Sequence, residues 1–375
     1  MKVLIISRGY PSDNDKLNGI FEFDQAKALH AAGVDVAFIS LDFRSLKKRR
    51  KYGVHSFEKE GIYIYDLSLP TGIYRRLLPL LRCLLWLMYK KVEKNFGKPD
   101  IIHTHFYFMG AIASNLSKQA NVPLILTEHS SKLNKAKNQI SSLDYKLACA
   151  AYKGSSKVLT VSSAIHDRLV QNFNVESDIV PNIIDSSIFN LPIPRNTKSS
   201  FNFVSVGTLK PIKGFDVLIN AFADAELPST VKLNIIGGGP EYKSLSDLIE
   251  KREMIDRVNL LGEKSRKEIA DIFAQSDAFI LLSKSETFGL VYAEALLSGL
   301  PIIATNCGGP TDFVCSENGI IVGIDDRKSS VDAIHTMFSN ADKYDKHKMR
   351  EDCLKRFSEQ AIAKHLLHQY SFIKE

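Results

Sequence analysis

The order strand–loop–helix–strand that opens the chain is written twice, and this repetition constrains the fold more than any other feature. "MKVLIIS" reads as a buried strand, "KLNGI" as a glycine-bearing loop, "FEFDQAKALHAAG" as a helix and "VDVAFISL" as a second strand. At residues 201–207 the plan begins again with "FNFVSVG", then the loop "TLKPIKG", the helix pattern "FDVLINAFADA" and the strand "VKLNIIGGG". Such short apolar runs, separated by helical stretches, are βαβ units of a sheet covered on both faces. "IYIYDLS", "PDIIHTH", "VPLILTEHS" and "SKVLTVS" extend the first series, and "VNLLG", "AFILLS", "LPIIAT" and "GIIVG" the second. The 375 residues also exceed what one ordinary core accommodates. The expectation is therefore α/β: two doubly wound, Rossmann-like domains, 1–190 and 197–357, joined by the polar, Pro-rich "NLPIPRNTKSS" at 190–200. A last helical pattern over 358–375 can pack on either domain.

In doubly wound domains ligands bind beyond the carboxyl ends of the strands. After the strand "AFILLS" comes "KSETFGLVYAEALLSG", which sets Glu286 and Glu294 eight apart among small or apolar residues. A carboxylate in apolar company is costly unless hydrogen-bonded. With Glu286 in the loop and the helix running from about Leu290 to Ser298, both carboxylates can face one pocket, together with the amides of Phe288, Gly289 and Leu290. Free amides at a helix start suit a diphosphate, and carboxylates suit paired sugar hydroxyls. A nucleotide-sugar presents both. Two unrelated helix glutamates are the plain alternative. Lys213 in "GTLKPIKGFD" could meet a phosphate, and "GGGP" at 237–240 allows close approach of backbone. Each of these is weak by itself, because glycine-rich turns and solvated lysines are common.

Together, in chain order, these elements resemble the retaining, GT-B-fold glycosyltransferases of family 4, over nearly the whole chain. "ETFGLVYAE" is similar to the family's E-x7-E stretch. The resemblance implies that Glu294 binds the nucleotide ribose and Glu286 the transferred sugar, helped by the Phe288, Gly289 and Leu290 amides. It makes Lys213 of "VGTLKPIKG" a diphosphate ligand, with Thr208 where many members have arginine; Lys210 could supply that lost cation. "GGGP", with Gly238, resembles the family's GxGP turn, and "NLLGEK", with Leu261, the segment lining the nucleobase. "TNCGGPTDFV" carries Asp312 where the family has glutamate, and "VPNIID" carries Ile183 where glycine is common. In the first domain, Gly19 of "LNGI" is expected near the diphosphate or acceptor, and His129 of "VPLILTEHS" matches a histidine the family places near the sugar and its phosphate. Catalytic roles are thus implied for His129, Glu286 and Lys213. His105 of "HTH" is an acceptor-side candidate; metal binding by His103 and His105 would require a third ligand, and none has suggestive spacing. The expected chemistry is metal-independent transfer of a hexose from a nucleotide diphosphate sugar, most simply a UDP-sugar, to a saccharide or lipid-linked acceptor, as in surface polysaccharide synthesis. No cofactor is expected.

Other classes fit less well. Five cysteines without a CxxC pair argue against a disulfide framework and for a reducing, cytoplasmic compartment. The run "LLRCLLWLMY" falls short of a membrane span. Residues 1–190 hold 26 Lys and Arg against 17 Asp and Glu, the remainder 23 against 25, so the net charge of +7 originates in the first half. "RSLKKRRKYG" (44–53) and the cation-flanked apolar run from Tyr74 to Lys98 could lie on an anionic membrane face, or be a solvated loop and a core helix. No aromatic-interleaved basic patch points to nucleic acid. "IIGGGPEY" lacks the third glycine of a dinucleotide fingerprint. A UDP-N-acetylglucosamine 2-epimerase or a non-catalytic nucleotide-sugar binder would share the two-domain plan, but the E-x7-E stretch and the Lys213 turn fit them less well.

Overall fold

The computed structural model describes residues 1–12, 15, 18–45, 50–70, 77–191 and 200–373. It divides into two compact units, Met1–Ile183 with Glu359–Glu375, and Ile184–Ser358.

In the first unit the strands are β1 (Lys2–Ser7), β2 (Asp35–Asp42), β3 (Gly53–Lys59), β4 (Ile62–Ser68), β5 (Ile101–His105), β6 (Leu124–Glu128), β7 (Lys157–Thr160) and β8 (Asp178–Ile179). They form one sheet in the order β3-β4-β2-β1-β5-β6-β7-β8, parallel except for β3 against β4. The crossover helices are α1 (Ile20–Ala31), α2 (Leu78–Phe96), α3 (Tyr107–Ala120), α4 (Ser142–Lys153) and α5 (Ser163–Phe173). Chain order reverses about β1, which lies between β2 and β5, so the carboxyl ends of β1 and β5 flank the natural binding crevice. β1 and β5 are buried almost throughout, which is why they read as unbroken apolar runs rather than alternating ones.

The second unit repeats the plan with β9 (Phe201–Val206), β10 (Val231–Ile236), β11 (Val258–Leu260), β12 (Ala278–Leu281), β13 (Ile302–Thr305) and β14 (Gly319–Val322). Their order is β11-β10-β9-β12-β13-β14, all parallel, with the reversal between β9 and β12. The helices are α6 (Phe215–Asp224), α7 (Tyr242–Lys251), α8 (Arg266–Phe273), α9 (Leu290–Leu297), α10 (Arg327–Asn340) and α11 (Lys346–Phe357). The final helix, α12 (Glu359–Ser371), returns to the first unit, where Ile362, Ala363, Leu366 and Tyr370 join Phe23, Ala26 and Leu29 of α1 in one core.

Two expectations shift. The boundary falls at Ile183 rather than 190, because residues 184–190 are held by the second unit. There the Ile184 amide donates to the Phe357 carbonyl, Phe189 packs on Phe273, and Arg350 donates to the carbonyls of Phe189 and Leu297. Residues 192–199 of the expected linker lie outside the described residues. The basic run is not a uniform charged face either. Arg44 pairs with Asp42 and Asp15, and Arg50, largely buried, pairs with Asp42 and donates to the Leu69 carbonyl; residues 46–49 lie outside the described residues. Of the long apolar run, Leu81, Leu85, Met88, Tyr89 and Val92 face inward on α2, while Leu80 and Leu87 are exposed. Among the described residues no helix is long and apolar enough to cross a membrane.

Candidate active site

In the second unit, Glu286 and Lys213 meet although 73 positions separate them. β12 ends and the chain passes Ser283 into a loop strapped to the segment after β13: the Glu286 amide donates to the Cys307 carbonyl at 2.9 Å, and Gly309 donates back to the Glu286 carbonyl at 3.2 Å. This fixes the backbone under the carboxylate. Its Oε1 accepts from Lys213 Nζ at 2.6 Å and from Ser283 Oγ at 2.7 Å. Lys213 closes the 3-10 turn Pro211–Lys213 beyond β9, and Gly214 follows at φ 64°. A Cβ on Gly214 would stand 2.1 Å from the Leu282 carbonyl oxygen. Only glycine lets that turn approach the end of β12 so closely, and the approach brings the lysine to the carboxylate.

Gly289, at φ 87°, starts α9. The amides of Leu290 and Val291 have no carbonyl one turn back within the helix and can serve an anion, whereas the Tyr292 amide donates to the Gly289 carbonyl at 3.1 Å. The ring of Phe288 is buried against Phe313 and Phe357, so only its backbone can serve a ligand. One turn into α9 stands Glu294, 7% exposed, accepting from Arg266 Nη2 at 2.8 Å. Burial raises the Glu294 pKa, Arg266 pulls it back, and Asp185 pushes it up again. Arg266 is the first residue of α8, placed by a capping box between Ser265 and Glu268.

The glycine-rich turn after β10 turns inward. A Cβ on Gly237 would lie 1.9 Å from the Gly207 carbonyl oxygen, one on Gly239 2.4 Å from that of Leu209, and one on Gly238 2.5 Å from a Glu263 carboxylate oxygen. Close approach here is therefore to the chain's own loop after β9, whose Leu209 amide donates to the Gly238 carbonyl at 2.9 Å. Thr208 and Lys210 are exposed on that loop, and the Leu261 amide is committed to the Ile235 carbonyl.

In the first unit, His129 follows β6 in a loop organised by Glu128. The Glu128 carboxylate accepts from the amides of His129, Ser130 and Tyr107 and from the Tyr152 hydroxyl at 2.8–3.0 Å. Burial still raises its pKa to about 7 against those four donors. His129 stacks on Phe21 and meets Phe106 at a tilt, and its Nε2 shares a hydrogen bond of 2.9 Å with His105 Nδ1. His105 stacks on His103, which bonds Tyr370 of α12 at 2.7 Å and Thr127 at 2.8 Å. Burial, together with the Arg8 charge, depresses the His129 pKa to about 3, so this imidazole is neutral at ordinary pH. Gly19 begins α1 at φ 69°, and a Cβ there would stand 2.2 Å from the Gly9 carbonyl oxygen.

Residues 23–188 match the family described as Glycosyltransferase Family 4, and residues 190–356 that described as Glycosyl transferases group 1. The chain belongs to the family 4 glycosyltransferases. An uncharacterized glycosyltransferase of Methanocaldococcus jannaschii is 30% identical over 238 residues, 62% of this chain and 64% of the relative, so the match spans just under two thirds of that protein. Sucrose-phosphate synthase from Thermosynechococcus elongatus superposes with a TM-score of 0.79 at 20% identity, covering 99% of this chain and 98% of that one. An Anabaena protein solved with UDP and glucose gives 0.74 at 20% identity over 99% of each chain. These two structures speak for the fold, which is GT-B.

For this glycosyltransferase the structure brings Lys213 to Glu286 at the carboxyl side of the β9–β12 reversal, ahead of Gly289 and Leu290 at the start of α9, while Glu294, one turn further along, pairs with Arg266. It amends two expectations. Neither carboxylate lacks a protein partner, because each has its own cation, Lys213 or Arg266. His105, expected on the acceptor side, is fully buried and hydrogen-bonded to His129, so its own side chain is not open to solvent. Sequence reasoning missed Arg266 and Glu128. The signal for Arg266 was the capping pattern "SRKE", which marks a helix start beside the site; Glu128 directly precedes the matched histidine. Among the described residues no three His, Cys, Asp or Glu side chains cluster as a metal site would require.

Proposed function

We propose that the protein is a retaining, metal-independent hexosyltransferase that takes a UDP-sugar as donor and a saccharide or lipid-linked molecule as acceptor, in surface polysaccharide assembly. The Lys213–Glu286 pair beside the start of α9 carries this reading. It offers a cation and free amides to a diphosphate next to a carboxylate for sugar hydroxyls. Glu294, oriented by Arg266, is the ribose ligand. On donor binding Lys213 turns from the carboxylate to the phosphate, leaving Glu286 for the hexose. The departing diphosphate, held by Lys213 and the α9 amides, accepts the acceptor's proton while the acceptor oxygen attacks from the same face. No side-chain nucleophile is required. His129, neutral, contributes a hydrogen bond rather than a proton. The Anabaena structure with UDP and glucose supports a UDP-sugar as the first donor to try.

The test is a donor screen with product analysis. Glu294→Ala is expected to weaken free UDP, whereas Glu286→Ala spares UDP and lowers turnover of the intact donor. Transfer with anomeric retention should survive excess chelator. Wild-type kinetics in both variants would refute the pocket, and release of a 2-epimerised sugar without acceptor would identify an epimerase instead.

A further inference from the structure

Arg8 has no place in the roles above, yet the fold goes to some trouble to hold it. It directly follows β1 at the β1–β5 reversal, where the first unit's crevice lies. Its guanidinium carbon lies over the Phe106 ring, 3.4 Å from the centroid. Phe106 sits at φ 67°, ψ 138°, a backbone conformation that residues with a Cβ rarely adopt. It is kept there by its amide, which donates to the Thr127 carbonyl, and by its carbonyl, which accepts from Gly110 in α3. Strain of this kind persists where surrounding structure imposes it, and it gathers at ligand sites. Its result is an aromatic shelf with Arg8 on top and His129 5.0 Å away, centroid to centroid.

The Arg8 side chain is 47% exposed and opens on a cavity of about 250 Å³. Asn18 and Arg44 share its polar wall, and Leu41, Phe43 and Phe108 its apolar wall. Arg44 is answered by Asp42 and Asp15 and adds shape rather than charge. Buried Glu22 stands 3.7 Å from Arg8 Nε, behind the guanidinium and beyond hydrogen-bond distance. Among the described residues nothing accepts a hydrogen bond from the two terminal nitrogens of Arg8. A planar fork, stacked on a ring, braced from behind and open at its end, is the arrangement that grips a carboxylate or phosphate through two parallel bonds.

We propose that Arg8 binds an anionic group of the acceptor, a phosphate or carboxylate, in this first-unit cavity, and so selects acceptors that carry one. The inference rests on the glycosyltransferase reading, with the first unit taken as the acceptor side and the second as the nucleotide-sugar side. Because Glu22 offsets much of the Arg8 charge, selectivity comes from the fork geometry.

The experiment titrates inorganic phosphate by calorimetry into the full chain already saturated with UDP, after UDP affinity has been measured alone. Wild type should bind a further phosphate. Arg8→Gln should weaken it about 10- to 100-fold, the worth of a charge-assisted pair, with UDP affinity unchanged. Arg8→Lys keeps the partner of Glu22 but lacks the fork, so it should fold and still lose most of the effect; Phe106→Ala should weaken phosphate as well. No second phosphate in wild type, or unchanged phosphate affinity in Arg8→Lys, would overturn the proposal. A loss of UDP affinity in the Arg8 variants would also overturn it, by assigning the residue to the donor. Failure of wild type to bind UDP at all defeats the nucleotide reading instead, and the phosphate titration without UDP then tests Arg8 by itself.

Discussion

Replacing Arg266 by alanine strips the only cation within ion-pair reach of Glu294 among the described residues, and the consequence can be followed through pH. Glu294 is 7% exposed, and burial already raises its pKa; Arg266, 2.8 Å away, is what pulls it down. Breaking a fully buried pair costs about 3–5 kcal/mol. The Arg266 side chain is 29% exposed, so solvent recovers part of that and about 2 kcal/mol is the expected loss in neutral solution. For a unit of this size that is roughly 4–8 °C in melting temperature. The sign with pH follows from the raised folded-state pKa. In the variant, folded Glu294 holds its proton to a higher pH than the unfolded chain does, so the deficit grows as pH rises above the ordinary carboxylate range. UDP binding runs the other way, because the ribose hydroxyls prefer the ionised carboxylate. Affinity should fall as pH is lowered and recover as it rises, whereas the wild-type profile is flatter. Melting curves and UDP calorimetry from pH 5 to 8.5 measure both. Adding Glu294→Gln to Arg266→Ala should restore most of the stability at pH 8 but none of the UDP affinity. A melting deficit independent of pH, with a wild-type UDP profile across the same range, would falsify the assignment of Glu294 as an ionised ribose ligand.

Two further outcomes are expected. His129, with its pKa held near 3 by burial and Arg8, should contribute no ionisation to turnover between pH 5 and 8. His129→Gln, which keeps hydrogen-bonding capacity, should therefore lower kcat without changing the shape of the pH profile; loss of an inflection present in wild type would contradict this. Glu128, with its pKa raised to about 7 from a reference of 4.5, makes the folded state hold a proton that the unfolded chain releases. Its contribution falls as pH rises from 4.5 to 7, by about 3 kcal/mol in all. The stability of Glu128→Gln relative to wild type should improve by that order across the interval in denaturant titrations, and a flat difference would show that Glu128 does not titrate there.

The sequence was most informative where backbone geometry leaves a local mark. Buried parallel strands read as unbroken apolar runs, so the duplicated α/β plan was legible from "MKVLIIS" and "FNFVSVG" onward, and the start of α9 was placed from Gly289. "GTLKPIKG" and "ETFGLVYAE" pointed to the ends of β9 and β12 because a turn after a strand has its own residue signature. What a glycine makes room for was not legible. Gly237 and Gly239 each clear a carbonyl of the chain's own loop after β9, a relation set by neighbouring strands in the sheet.

By itself, the sequence determined the fold class, the repeat of the plan and the two carboxylates at the end of β12, because propensity, apolar period and turn chemistry are local properties. Only the tertiary structure decided what those carboxylates touch. Lys213 reaches Glu286 across 73 residues, Arg266 reaches Glu294 across 28, and α12 returns to seat Tyr370 against His103 across 267. Burial of the three histidines, the offset of Arg44 by Asp42 and the strained Phe106 under Arg8 belong to the same class. Charge pairing and desolvation act through space, and the chain order holds no record of which distant residues the packing will bring within 3 Å.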